Sequence, residues 1–484
     1  MDLLVGYIWG LQGMLMKYLL SAFAMLLSFA MCAQPTFPVN GTREKKVTYT
    51  AFTNAVIHQK TGVVLENATL LIQGDQIIAC GSEVQIPSNT RVLDMEGNHI
   101  YPSFIDLNSA YGLPKVERAK WDPSPQMLTN KKGPFGWNQA IRPETDASSM
   151  VEHKAEEAEK LRAMGFGTVL THLPDGISRG IGAVITLGED ENLNLISAKA
   201  SAHYSFRKGS SSQDYPSSIM GSVALLRQTY YDAMWYDSAQ NTGEINLSLA
   251  AFNAQQNLPQ FFNCEVKQDV LRADKIGDEF NKKYIFVGSG DEYQYLDAMK
   301  ETGGKFVIPL EFPDAFDVTD PYLTRLISLN EMKHWEMAPG NPAALQNADI
   351  EFALTASGMK NSKMFFDNLK KAITNGLSPE RAFDALTMVP ASMLGIEEQV
   401  GSLESGKMAN FLITSGNLFD TENKTKIYEN WVQGFSYMLA DRTDPDLSGN
   451  YNFTLNKVLY PLTVEGEPGE YKVSFDLIEK TAEG

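Results

Sequence analysis

The sequence predicts an α/β protein: a (β/α)8 TIM-type barrel with a small β-sandwich domain formed by both flanks of the barrel. Three observations carry this. Residues 47–99 run as short β-rich segments cut by turn residues, the pattern of a compact antiparallel layer. From Tyr101 apolar strands alternate with helical segments, which implies parallel β/α units. After the last helical segment the chain returns to hairpin-like strands, including Trp431-Val-Gln-Gly434, that can complete the first layer. Periodicity also admits an open doubly wound sheet.

In chain order, the first 33 residues read as a secretory signal peptide. Met16-Lys17 precedes an apolar run, Tyr18 to Met31, and Ala33 offers a small residue for cleavage. That run is shorter than the ~20 residues a membrane span needs, so no span is expected once the signal is removed. The predicted location is secreted or periplasmic. Residues 47–100 and 396–440 form the composite sandwich, with Gly74-Asp75 as a hairpin turn. Residues 101–395 form the barrel. Residues 441–484 are a β-like extension that reads as the start of a further module.

Within the barrel, residues 114–147 are a polar insertion. Ser149-Met-Val-Glu152 has a capping-box pattern and opens a helix through Ala163, with Gly165 as C-cap. Strands are expected at Gly167–His172, Gly182–Leu187, Lys283–Gly288, Phe306–Leu310 and Glu351–Thr355. Gly180-x-Gly182 is expected to make a tight turn. A long helix spans about Ser218 to Tyr236, and one more runs from Ala382 to Leu394.

The chain has 484 residues, of which 59 are Asp or Glu and 41 Lys or Arg, a formal charge of −18. This balance excludes a nucleic-acid partner and gives no basic patch for an anionic membrane. Past the signal, Cys80 and Cys264 lie far apart and make neither a disulfide framework nor a zinc-type spacing.

The chemistry centres on Ile100 to Gly112. Apolar residues there lead into Asp106, Asn108 and Ser109, the layout of a barrel strand whose carboxyl end carries the site. His172, with Asp175 three residues on, ends another strand. His203 precedes Arg207, Lys208 and a Ser-rich loop. The candidate polar residues of the barrel mouth are therefore Asp106, Asn108, Ser109, His172, His203 and Arg207. His58 and His99 fall in the sandwich, His153 on a helix surface and His334 beside Trp335, where structural roles are expected. Asp291-Glu292 reads as a helix N-cap with an acidic first turn.

Two motifs, YPSFIDLNSA and LTMVPASMLGIEEQVGSLESGKMANFLI, resemble the amidohydrolase superfamily in its imidazolonepropionase-like branch, over roughly residues 50–435. QPTFPVNG, GWNQAIRPET and AHYSFRKGSSSQDYPSS further resemble the N-terminal module of large secreted bacterial tandem amidohydrolases. The resemblance implies a metal site in which a Zn, Fe or Mn ion activates water against a C–N bond. It also places the family's ligand positions on Asn108, Ala110 and Ala356 or Ser357. An amide oxygen is a poor zinc ligand and a methyl group is none, so no metal is expected. The expectation is a catalytically degenerate module, a pseudoenzyme supporting a second amidohydrolase module downstream or on a partner. The alternatives are an active metal-dependent hydrolase with substitute ligands such as His172, His203, Asp106 and Glu311, and a module that binds a small ligand or peptide.

Overall fold

The computed structural model describes residues 48–117, 128–189, 195–238, 243–442, 447–455, 458–466 and 471–475. The expected signal peptide lies outside them. Among the described residues, no helix is long and apolar enough to cross a membrane.

The chain opens with five strands: β1 (Tyr49–Lys60), β2 (Val63–Gln73), β3 (Gln76–Gly81), β4 (Arg91–Asp94) and β5 (His99–Pro102). Eight more follow: β6 (Phe104–Ser109), β7 (Phe166–Thr171), β8 (Ser178–Thr186), β9 (Leu195–Ser205), β10 (Gln260–Asn263), β11 (Tyr284–Val287), β12 (Lys305–Pro309) and β13 (Phe352–Thr355). The last are β14 (Phe411–Thr414), β15 (Ile427–Val432), β16 (Phe435–Met438), and the three strands of a separate sheet, β17 (Gly449–Leu455), β18 (Val458–Glu465) and β19 (Lys472–Phe475).

Strands of both flanks join one eight-stranded sheet in the order β16-β15-β14-β5-β1-β2-β3, with β4 on β1. The link between flanks is β5–β14, where Ile100 pairs with Ile413. Phe52, Phe411 and Trp431 pack edge-to-face and stacked within 5.4 Å in this sheet's core. Buried Asn430 fastens the sheet to the barrel. Its Nδ2 donates to the carbonyls of Arg162 (3.1 Å) and Phe166 (2.9 Å), and its Oδ1 accepts from Ser103 Oγ (2.8 Å). An Asn whose bonds are all made inside protein costs little to bury, and losing one partner strands the others.

Strands β6 to β13 form the barrel sheet in sequence order. Its two ends meet at Asp106 on β6, whose carboxylate accepts from Thr355 Oγ1 (2.5 Å) and the Ala356 amide (3.3 Å) beyond β13. Neighbouring residues take opposite faces, and the choice of side chain follows the space available. Ile105, Leu107, Leu170, Phe261, Val307 and Ala353 belong to the inner cluster, closed by residues from the segment 389–400. Phe104, Phe166, Phe262, Phe306 and Phe352 belong to the outer cluster beneath the helices. A narrow barrel interior takes mainly branched or small side chains, whereas the helix-covered face has room for rings.

The structure corrects several local expectations. β8 runs antiparallel to both β7 and β9, so the sheet has seven parallel strands and one reversed. Gly180 sits inside β8 at φ +86°, at a register shift between Ser178 and Gly180, and not in a tight turn. The first barrel helix spans Ala155–Ala163, with no capping box at Ser149. Asp146 instead caps a short turn at Ala147–Ser149, and the Glu152 amide is bound to the Gly112 carbonyl, which holds the intervening chain out of helix. His153 therefore precedes the helix, with Nδ1 3.1 Å from the Tyr111 hydroxyl. The helix expected over 382–394 breaks at Thr387 into Pro379–Leu386 and Met388–Leu394. Pro390 has no N–H for the Leu386 carbonyl and its ring collides with that position. Asp291 makes no side-chain cap; Glu292 accepts from the Ser289 (2.8 Å) and Gly290 (3.2 Å) amides instead.

Candidate functional site at the barrel mouth

The inward register that carries apolar side chains through the barrel turns polar at the carboxyl ends of the strands. Leu170 leads to His172, Phe261 to Asn263 and Glu265, Val287 to Ser289, Val307 to Glu311, and Ala353 to Thr355 and Ser357. Most of these residues, with Asn108, line a cavity of about 360 Å³. A neighbouring cavity of about 880 Å³ is walled by Phe206, Arg207, Lys208 and the Tyr215–Ile219 segment. Asn263 and Glu265 line both. Glu265 also accepts a short ion-paired bond from Arg207, so this pair stands between the two cavities.

The six expected site residues do not converge on one place. Asn108 reaches the smaller cavity, because the pairing of β6 with β7 shifts between Asp106 and Ser109. Ser109 Oγ accepts from the Tyr111 amide (3.1 Å). Asp106 is buried at the sheet junction. Burial pushes its pKa up to about 6, against the lowering effect of bonds from Thr355, Asn108 and Ala356. Arg207 is largely exposed, its side chain 69% accessible, at the larger cavity.

His172 and His203 lie deeper, face to face, with ring centroids 3.7 Å apart and planes 4° from parallel. Phe261 continues the stack 5.2 Å beyond His203. Gly182 leaves room for it: a Cβ there would stand 2.7 Å from His203 Nε2. That Nε2 is 2.7 Å from Ser201 Oγ. Burial, and then the nearby Arg179 cation, lowers His172 to about 3. His203 is also held well below its ordinary value by burial, by His172 and by Arg179. Both rings are therefore neutral at physiological pH.

Asp175, three residues beyond His172, is engaged elsewhere. It is bonded to Arg142, to the Ser210 amide (2.6 Å) and to Ser210 Oγ (2.7 Å), which pins the Ser-rich loop over the barrel. Asn263, Glu265, Ser289 and Thr355 were missed in the sequence. The signal for them is the continued alternation, two and four residues beyond each buried strand residue. Arg179 was missed too, and no local pattern marks it.

The family-type metal can be tested against these residues. Imidazole lone pairs lie in the ring plane, so an ion in the plane of one ring lies well out of the plane of the near-parallel other, whose centroid is 3.7 Å away. His203 Nε2 is occupied by Ser201. Ala110 is exposed beyond the end of β6, and Asn108 and Ser357 line the smaller cavity. Among the described residues, no three His, Cys, Asp or Glu side chains converge on a point that could hold a metal. The residues present do not fit the ion.

A barrel whose polar side chains gather at the carboxyl ends of its strands belongs to the enzyme-type β/α barrels. A family model described as the amidohydrolase family matches residues 331–436. Imidazolonepropionase from Klebsiella pneumoniae strain 342 is 21% identical over 375 residues, covering 72% of this chain and 86% of that protein. The same enzyme from strain ATCC 700721 / MGH 78578 is 22% identical over 381 residues, covering 74% and 88%. A crystal structure of an amidohydrolase from Thermotoga maritima MSB8 superposes with a TM-score of 0.64 at 19% identity, over 81% of this chain and 100% of that one. By the family match at residues 331–436 and by these two relatives, the chain is similar to the amidohydrolase superfamily, in its imidazolonepropionase-like branch.

Proposed function

We propose that this chain is an exported amidohydrolase-type module that has given up the family's metal chemistry. It acts as a pseudoenzyme that supports or regulates a catalytic amidohydrolase module, downstream in the same chain or on a partner. The observation that carries this reading is the donor set at the barrel mouth. Asn108 and Ser357, on which the resemblance puts ligand positions, line the smaller cavity, and the two barrel histidines are stacked face to face, which argues against a shared ion.

Metal content and turnover test this together. Purified chain, supplied in turn with Zn, Fe and Mn and then desalted, is expected to hold far less than one ion per molecule. It is also expected to leave a panel of amides, cyclic amides and dipeptides intact. One tightly held ion per chain, with turnover abolished by a chelator and by His172→Ala, would establish the competing reading of a hydrolase with substitute ligands.

A further inference from the structure

Between β12 and the short helix Asn341–Asn347 the chain makes an excursion that buries nothing. Residues 314–337 contain no buried residue. They nevertheless hold defined structure, a 3-10 turn at Leu323–Leu326 and a helix at Leu329–Met337. The helix starts on a complete capping box. The Glu331 amide donates to Ser328 Oγ (3.2 Å), and the Ser328 amide donates to the Glu331 carboxylate (2.8 Å). A helix this short is marginal by itself and ordinarily draws its stability from packing an apolar face. The arm is tied to the body by Asp314, paired with Lys360 (2.8 Å), and by His334, whose Nδ1 lies 3.2 Å from the Tyr293 hydroxyl.

The side chains left in water are large and apolar. Tyr322 is 79% exposed, Leu326 78% and Leu329 70%, and Met332, Trp335 and Met337 are exposed as well. These residues together expose on the order of 700 Å², close to the ~800 Å² per partner that a stable specific interface covers. The largest apolar patch of an ordinary monomer is about 300–600 Å². Within the helix, Leu329, Met332 and Glu336 recur at i, i+3 and i+7, on the side opposite His334 and its contact with the body. Charges frame the apolar residues. Arg325 and Glu336 are exposed, and among the described residues neither forms an ion pair.

We propose that the arm at 314–337 is a dimer interface, and that it takes the same arm of a second copy of this chain. An isologous contact needs a surface that complements itself. An antiparallel pair of these helices sets Leu329 of one copy level with Met332 of the other, apolar on apolar. It also lays the start of each arm, with Arg325, along the end of the other, with Glu336, so that each unpaired charge meets its opposite. The net charge of −18 opposes a broad contact between two copies. A contact confined to the arms leaves most of that charge beyond the ~8 Å over which it acts at physiological salt. The inference goes beyond the loss of metal chemistry and does not rest on it, since no residue of the arm lines either cavity at the barrel mouth.

The test is sedimentation velocity of the full chain across a concentration series, with circular dichroism confirming that each variant is folded. The parent is expected to pass from monomer to dimer, at twice the chain mass, below about 100 μM, the weak limit for an interface of this size. Leu329→Glu, which keeps a good residue in the first helical turn and sets a charge in the apolar seam, is expected to weaken the dimer about tenfold or more. Arg325→Glu is expected to weaken it through like charges, and Arg325→Glu combined with Glu336→Arg to recover it. Met220→Glu, on a different helix and 83% exposed, is expected to dimerise as the parent does. A parent that stays monomeric overturns the proposal, and so does a dimer that Leu329→Glu and Arg325→Glu leave unchanged. A monomeric parent whose complex with a catalytic amidohydrolase module is lost in Leu329→Glu would give the arm to that partner and likewise overturn self-association. None of these outcomes bears on metal content, so the reading of the silent metal site stands or falls separately.

Discussion

Gly180→Ala is expected to lower stability by about 3 kcal/mol, combining the penalty for a left-handed L-residue with that of overpacking. Gly180 holds φ +86°, and a Cβ there would lie 2.1 Å from the Thr145 carbonyl oxygen. That oxygen cannot simply move aside, because it accepts the Ile181 amide (2.8 Å) and ties the 138–146 segment to β8. The substitution therefore has to break the tie or unbend the strand. Denaturant unfolding of parent and variant measures the difference through the midpoint, given an unchanged slope. A loss under about 1 kcal/mol, the centre of ordinary point mutations, would show that the bulge relaxes freely.

Asp106→Asn is expected to change how stability depends on pH. The carboxyl is buried at the junction of β6 and β13, and its folded pKa is raised from 3.8 to about 6, chiefly by burial. The folded chain thus keeps a proton that the unfolded chain gives up. This contribution to stability is complete below about pH 4 and is lost as pH rises to about 6. The span corresponds to about 3 kcal/mol at most. The asparagine variant cannot ionise and lacks this fall. Relative to the parent, the variant should gain about that amount between pH 4 and pH 7, whatever constant cost its altered bonds impose. A parent–variant difference that stays level over this range would show an ordinary carboxylate at the junction.

Asp106 also serves the scaffold directly. It joins the two ends of the sheet through its bonds from Thr355 and the Ala356 amide. The strand that carries it was legible from its sequence because burial on both faces demands a nearly continuous apolar run. The same holds for Phe166–Thr171, Lys305–Pro309 and Phe352–Thr355, all close to their expected bounds. Strand β10, only four residues of QFFN, gave no comparable run and went unseen.

Local pattern determined much about this protein. Apolar strands, the turns between them, the Asn and Ala at positions 108 and 110, and the acidic overall charge are all properties of neighbouring residues or of composition. What the tertiary structure alone decided is which distant residues meet and in which direction strands run. The reversal of β8 has no local signature, since alternation reads the same in either direction. The stacking of His172 on His203 and the engagement of Asp175 by Arg142 depend on partners 31 and 33 residues away. Electrostatic energies in a buried site depend on distance and solvent exclusion, and neither is written in the spacing of a sequence.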